Sequence, residues 1–305
     1  VYGGGQDGHV RNSTEVRIFK GSVAGQGTYD TAGRSGNVFG AGSGIGKYTT
    51  NSGSYCNKFS GSVSCTTLVE VSDGTIAGNV YGGGALASVG PPKITQDKYE
   101  QKTASEGHAS HSLNRVNIKG GTITGSVYGA SRGPADSFRT TAFPGGVSTA
   151  EGTAANVYNP TMFATSLWTE VNVTGGTIGN SVYGGGEMGQ VKESTVVNLT
   201  GGDIAHDAFG GGKGTDLIAA DIGGNTTVEL NKGLTNSSVG CSVQRIFGCN
   251  DFKGTPKGHP LVHVYATRHK NQSTIGSKYK KFDKLSNYTI ENYSSHTYEE
   301  KTLTT

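Results

Sequence analysis

The same dipeptide returns along the whole chain: an aromatic residue followed at once by glycine. It occurs at Tyr2-Gly3, Phe39-Gly40, Tyr81-Gly82, Tyr128-Gly129, Tyr183-Gly184, Phe209-Gly210 and Phe247-Gly248. In several copies the glycine is one of a run, as in Gly184, Gly185 and Gly186. Glycine destabilises regular structure by about 0.5–1 kcal/mol relative to alanine, so its return at one place implies that a side chain has no room there. A repeating architecture meets that requirement, and the rest of each copy shows the same spacing.

Upstream of the aromatic, six segments align without gaps: TEVRIFKGSV, TLVEVSDGTI, NRVNIKGGTI, TEVNVTGGTI, TVVNLTGGDI and TTVELNKGLT. Their apolar positions alternate with polar ones, at Val16/Ile18, Val69/Val71, Val116/Ile118, Val171/Val173, Val197/Leu199 and Val228/Leu230. A period of two is the mark of a half-buried strand. A glycine follows each (Gly21, Gly74, Gly121, Gly176, Gly202 and Gly233), where the backbone turns tightly or takes a positive φ. The shortest repeat runs 26 residues, from Thr169 to Thr195, and no copy has a helical 3.6-residue pattern.

Two or three short strands with tight corners fill such a length. The expected fold is therefore all-β: a parallel β-solenoid (β-helix) of about seven coils. Successive coils stack at about 4.8 Å, with like residues in ladders and glycine where stacked backbones crowd. Residues 1–250 make the solenoid and 251–305 an irregular continuation, in which PLVHVY (260–265) reads as part of a further repeat. The chain opens inside the repeated VYGGG motif and is expected to be a piece of a longer protein. Between the glycine run and the next strand lie 8 residues after Gly5 and Gly186, 13 after Gly212, 24 after Gly42, 29 after Gly84 and 37 after Ser131. The expectation is long loop insertions (43–66, 85–113 and 132–168) at one corner, on one face of the stack.

Composition narrows the function classes. Only 33% of residues are hydrophobic and 51 of 305 are glycine, without the strict third-residue period of collagen. A net charge of +3, from 26 basic and 23 acidic side chains, gives no reason to expect nucleic acid as a partner. No run of 18 apolar residues is present, so no transmembrane helix is expected. The cysteines fall in two local pairs, Cys56 with Cys65 and Cys241 with Cys249, at neither zinc nor redox spacing. They read either as disulfides of an exported protein or as small buried thiols.

The search for chemistry yields few candidates, and no cofactor is expected. AGSGIGKY (41–48) departs from a phosphate-binding loop at both ends, and no helix follows. GGKGTDLIA (211–219) matches a calcium-binding nonapeptide, with Asp216 as the ligand, but the next nine residues break the pattern and a surface turn explains it as well. Asp203, His206 and Asp207 form the most acidic cluster on the regular scaffold, with no companion apparent at matching columns, which makes a poor paired-carboxylate site. The eight N-x-[ST] sequons, Asn172, Asn198 and Asn225 among them, follow from a Thr- and Asn-rich strand pattern. Trp168, the only tryptophan, closes an insertion that also holds Tyr158 and Phe163, either a satellite core or a platform for sugars or a protein partner. Residues 253–284 carry eight basic side chains against one acid, and Lys280 and Lys281 are there either to meet an anionic glycan or as a solvated loop.

The GGTI-x3-VYGGG repeat together with the HVYAT stretch (263–267) resembles the large repetitive secreted or surface proteins of gut Bacteroidetes, over roughly residues 1–265. The resemblance implies an extracellular or cell-surface, adhesin-like stalk whose partners are glycans or surface proteins of a host or of other bacteria. Two other readings of the same scaffold stand beside it. A carbohydrate-active lyase or hydrolase would need carboxylates gathered across adjacent coils, and a phage fibre segment would need an exposed apolar seam for trimerisation.

Overall fold

The computed structural model of the protein describes residues 1–25, 36–44, 48–50, 53–55, 60–90, 92–95, 98–101, 112–133, 164–216, 218–235 and 239–267. Among them every regular element is a strand, and no helix is long and apolar enough to cross a membrane.

The alternating segments form one parallel ladder. Thr14–Ile18, Thr67–Val71, Leu113–Ile118, Trp168–Ile178, Thr195–Ile204, Thr226–Leu230 and Pro260–Val264 pair in that order. Their registers place Val16, Val69, Val116, Val171, Val197, Val228 and Val262 in one column. PLVHV thus continues the ladder. Six of these valines, all but Val262, are buried and belong to one apolar core with Ile76 and Ile123, from the short second strands Thr75–Ile76 and Thr122–Ile123, and Ile178, at the end of its long strand. Each such burial contributes roughly 1.5–3 kcal/mol.

The glycines that follow the alternating segments adopt positive φ, from 73° at Gly233 to 99° at Gly21, two of them (Gly176 and Gly202) inside the long strands, a conformation that side chains strongly disfavour. Beyond them a second parallel sheet runs through Val38–Phe39, Val80–Tyr81, Val127–Tyr128, Val182–Tyr183, Asp207–Phe209 and Arg245–Phe247. Its aromatic column stacks from Tyr2 to Phe247, with neighbouring ring centroids 4.7–5.1 Å apart and planes within 6–10°. The spacing is that of hydrogen-bonded strands, so the rings stack because their backbones do.

The glycine after each ring now has a physical reason. A Cβ on Gly40, Gly82, Gly129 or Gly184 would lie 2.2 Å from the carbonyl oxygen of the equivalent glycine in the following repeat. Carbon and oxygen in contact sit at about 3.3 Å or more. The same carbonyls accept hydroxyl protons from the first strand: Thr14 donates to Gly40 and Thr169 to Gly184, both at 2.6 Å. Asn114 takes the threonine place in its copy, and its amide instead donates to Ser166 Oγ at 2.8 Å.

Where the insertions leave differs from the sequence expectation. Single parallel bridges join Gln6, Ser43, Ala85 and Arg132 in one column, and Val10, Val63 and Val89 in another. The second column continues through Thr165–Ser166, Gln190–Val191, Ile222 and Pro256, since the Val89 amide donates to the Thr165 carbonyl at 2.8 Å. Residues 45–59 and 134–163 lie between the two columns, whereas 91–111 follow the second. The detours therefore begin at two neighbouring places. Two of them contain an antiparallel hairpin, Tyr48–Thr50 with Gly53–Tyr55 and Pro92–Thr95 with Lys98–Gln101.

Candidate functional site

Because the strand period is two, the long ladder turns valines inward and a second set of side chains outward. The outward columns hold Glu15, Leu68, Arg115 and Glu170 at one position, and Arg17, Glu70, Asn117, Asn172 and Asn198 two residues on. The face is a lattice of charges and amides. Lys119 donates to Glu70 at 2.6 Å, with Arg17 3.5 Å away on the other side. Arg115 meets Glu170 through Nη2 at 2.8 Å and Nε at 3.0 Å, while Arg17 also pairs with Glu15. Asn198 donates to Asn172 at 2.8 Å and Asn172 to Asn117 at 2.9 Å, so the amides form their own ladder. Lys119 and the other donors around Glu70 hold its carboxyl below the ordinary range.

A second polar cluster lies along the phenol ends of the aromatic column. Tyr81 donates to Glu187 Oε2 at 2.6 Å, the same carboxylate receives Arg132 Nε at 3.1 Å, and Lys213 stands 3.6 Å away. Tyr183 donates to Asp251 at 2.8 Å. Burial first, and the Glu187 carboxylate second, raise the Tyr81 and Tyr128 phenols well above their usual pKa. Tyr183 is raised by burial and by its bond to Asp251. Phenols held protonated in this way donate hydrogen bonds; they do not abstract protons near neutrality.

The residues singled out by sequence separate. Trp168 opens the strand Trp168–Ile178, opposite Leu113 in register, half-buried and on the outward side with Glu170 and Asn172. Tyr158, Phe163, Lys280 and Lys281 lie outside the described residues. Asp216 is exposed in a turn closed by Thr215 and Ile218, and its backbone carbonyl accepts Lys253 Nζ at 2.7 Å. Among the described residues no three His, Cys, Asp or Glu side chains gather to hold a metal ion.

Asp207 does have a companion, contrary to expectation. Arg245 is its register partner in the next copy and grips the buried carboxylate through Nη2 at 2.7 Å and Nε at 2.9 Å. That bond holds the Asp207 carboxyl below its usual range. Asp203 is exposed and lies on a different strand, Thr195–Ile204, opposite Thr177 in register. Cys65, Cys241 and Cys249 are present as thiols, with Cys241 in the apolar core; Cys56 lies outside the described residues. Sequence reading missed Glu187, Arg132 and Lys213 because they stand outside the repeated strands, Arg132 at a single bridge and the other two in irregular segments. No protein-family model, curated protein or solved structure matches this chain.

Proposed function

We propose that this chain is a non-catalytic structural and adhesive repeat protein of the extracellular space or bacterial surface. In this reading the parallel sheets close into a solenoid of about seven coils, which serves as a stiff spacer because each coil rests only on its neighbours. The insertions display binding surfaces for glycans or proteins of a host or of other microbes. The observation that carries the reading is the unbroken stack of seven rings from Tyr2 to Phe247, maintained in register across insertions of very different length. A scaffold that tolerates such detours without losing register is suited to holding them.

The electrostatics support binding over catalysis. Glu70, Asp207 and Glu229 all have lowered carboxyl pKa values through hydrogen bonds from Lys119, Arg245 and Lys232. General-acid chemistry on a glycosidic bond instead requires a raised one. Removal of residues 169–194 tests the architecture: small-angle scattering should show a folded particle shorter by one strand spacing, about 4.8 Å. Glycan-array and mucin binding, repeated after deleting 45–59, 91–111 or 134–163 in turn, tests the display role. Collapse of the shortened chain would refute the first, and binding that survives every deletion would refute the second.

A further inference from the structure

The outward face of the long ladder carries more than a scaffold needs. Trp168 stands beside Leu113 across the sheet, and two residues along its own strand comes Glu170, then Asn172. Arg115 bridges to Glu170 from the neighbouring strand, and Asn117 accepts from Asn172. A hollow of about 350 Å³ opens on the same face on the far side of Leu113 from Trp168, lined by Glu15, Thr66, Leu68, Leu113 and Arg115 among others. Side chains two residues apart on a strand stand about 6.6–6.8 Å apart, and successive strands about 4.8 Å. This rigid grid thus pairs an aromatic-aliphatic strip with rows of donors and acceptors.

We propose that this face, centred on Trp168, binds neutral oligosaccharides. A pyranose ring offers an apolar C–H surface to an indole and hydroxyls that both donate and accept; the strip and the amide and carboxylate rows supply both partners. The charges select among glycans. Arg17, Arg115 and Lys119 alternate with Glu15, Glu70 and Glu170, each already paired within the face. A polyanion or polycation would meet a like charge wherever it met an opposite one, whereas an uncharged chain of hydroxyls meets neither penalty. The inference rests on the adhesive reading but moves part of the recognition from the insertions to the sheet itself.

Trp168 is the only tryptophan in the chain, so its own fluorescence reports the site. The intact protein is titrated with cello-, chito-, xylo- and manno-oligosaccharides and, separately, with polygalacturonate and heparin. A saturable shift of the tryptophan emission with at least one neutral series is expected, matched by calorimetry. Trp168→Ala should weaken that binding by at least about tenfold. Arg115→Ala and Glu170→Gln should weaken it less, with the far-ultraviolet circular dichroism of all three variants unchanged. Trp168→Phe, which keeps a ring, guards against loss of fold and should retain part of the affinity. Calorimetric binding of neutral glycans without any change in emission, or with full affinity in Trp168→Ala, overturns this site while leaving display by the insertions standing. Response to the polyanions alone overturns the choice of ligand, and no binding of any probe by either method overturns the site.

Discussion

Replacing Gly82 by alanine isolates the crowding that the stacked architecture imposes. The new Cβ would lie 2.2 Å from the Gly129 carbonyl oxygen and 3.0 Å from Val116 Cγ2, both in the next repeat. Relief to ordinary contact requires the two backbones to part by about 1 Å. The bond from Gly82 N to the Tyr128 carbonyl, 2.9 Å long, spans that gap and stretches with it. Weakening two or three such bonds at about 1 kcal/mol each, with about 1–3 kcal/mol for overpacking, gives roughly 3–6 kcal/mol of destabilisation. Two controls separate the cause. Gly21 has a φ of 99° and open space where a methyl group would stand, so Gly21→Ala should cost only the left-handed penalty of about 1–2 kcal/mol. Gly8 has neither constraint, so Gly8→Ala should be neutral or stabilising by up to about 1 kcal/mol. Urea unfolding followed by far-ultraviolet circular dichroism ranks the three variants. Equal midpoints for Gly82→Ala and Gly8→Ala would refute the crowding argument.

Further outcomes concern the charged and phenolic groups. Asp207 has its carboxyl pKa depressed by Arg245 in the folded chain, so the pair stabilises above the ordinary carboxylate range and the benefit is lost as pH falls through the folded value. The stability gap between the parent and Arg245→Met should therefore narrow between about pH 6 and about pH 3, as read from thermal midpoints; a constant gap counts against the pairing. The Tyr81, Tyr128 and Tyr183 phenols are raised, so their contribution is complete below about pH 10 and lost above it. Phenolate absorbance from these rings should rise together with loss of the strand signal, and smooth ionisation of a chain that stays folded would contradict their burial. Tyr81→Phe should cost about 1–3 kcal/mol by leaving Glu187 without its phenol donor, measured by urea midpoint against Tyr2→Phe at the partly exposed end of the stack.

Much of the scaffold was legible because a ladder copies its own columns. The alternating valines, the turn glycines and the ring-glycine pairs each repeat often enough to be seen, and Val16, Gly74 and Tyr128 occupy the places their columns predict. Contacts that occur once were not legible. Single-residue bridges such as Val63 to Val89 carry no period, so the two exits for the insertions could not be told apart. Glu187 reaches Tyr81 over 106 residues of sequence, a distance no local pattern encodes. Asp207 and Arg245 lie in the same column, but Arg245 precedes a copy whose first strand departs from the consensus, and the companion was overlooked. Trp168 stood out by its rarity, yet its neighbours Arg115 and Glu170 became visible only when the strands were laid side by side.

The bridge column that runs from Val10 through Val89 to Pro256 returns the chain to a common lattice point after the detours at 45–59 and 134–163, although these differ twofold in length. Mutation can then act on two tiers. An excursion can change in length without shifting the rung that follows it, whereas a methyl group at Gly40 or Gly129 would stand 2.2 Å from a carbonyl oxygen of the neighbouring repeat. Tolerance of change at the periphery and intolerance of it along the spine are consequences of one geometry.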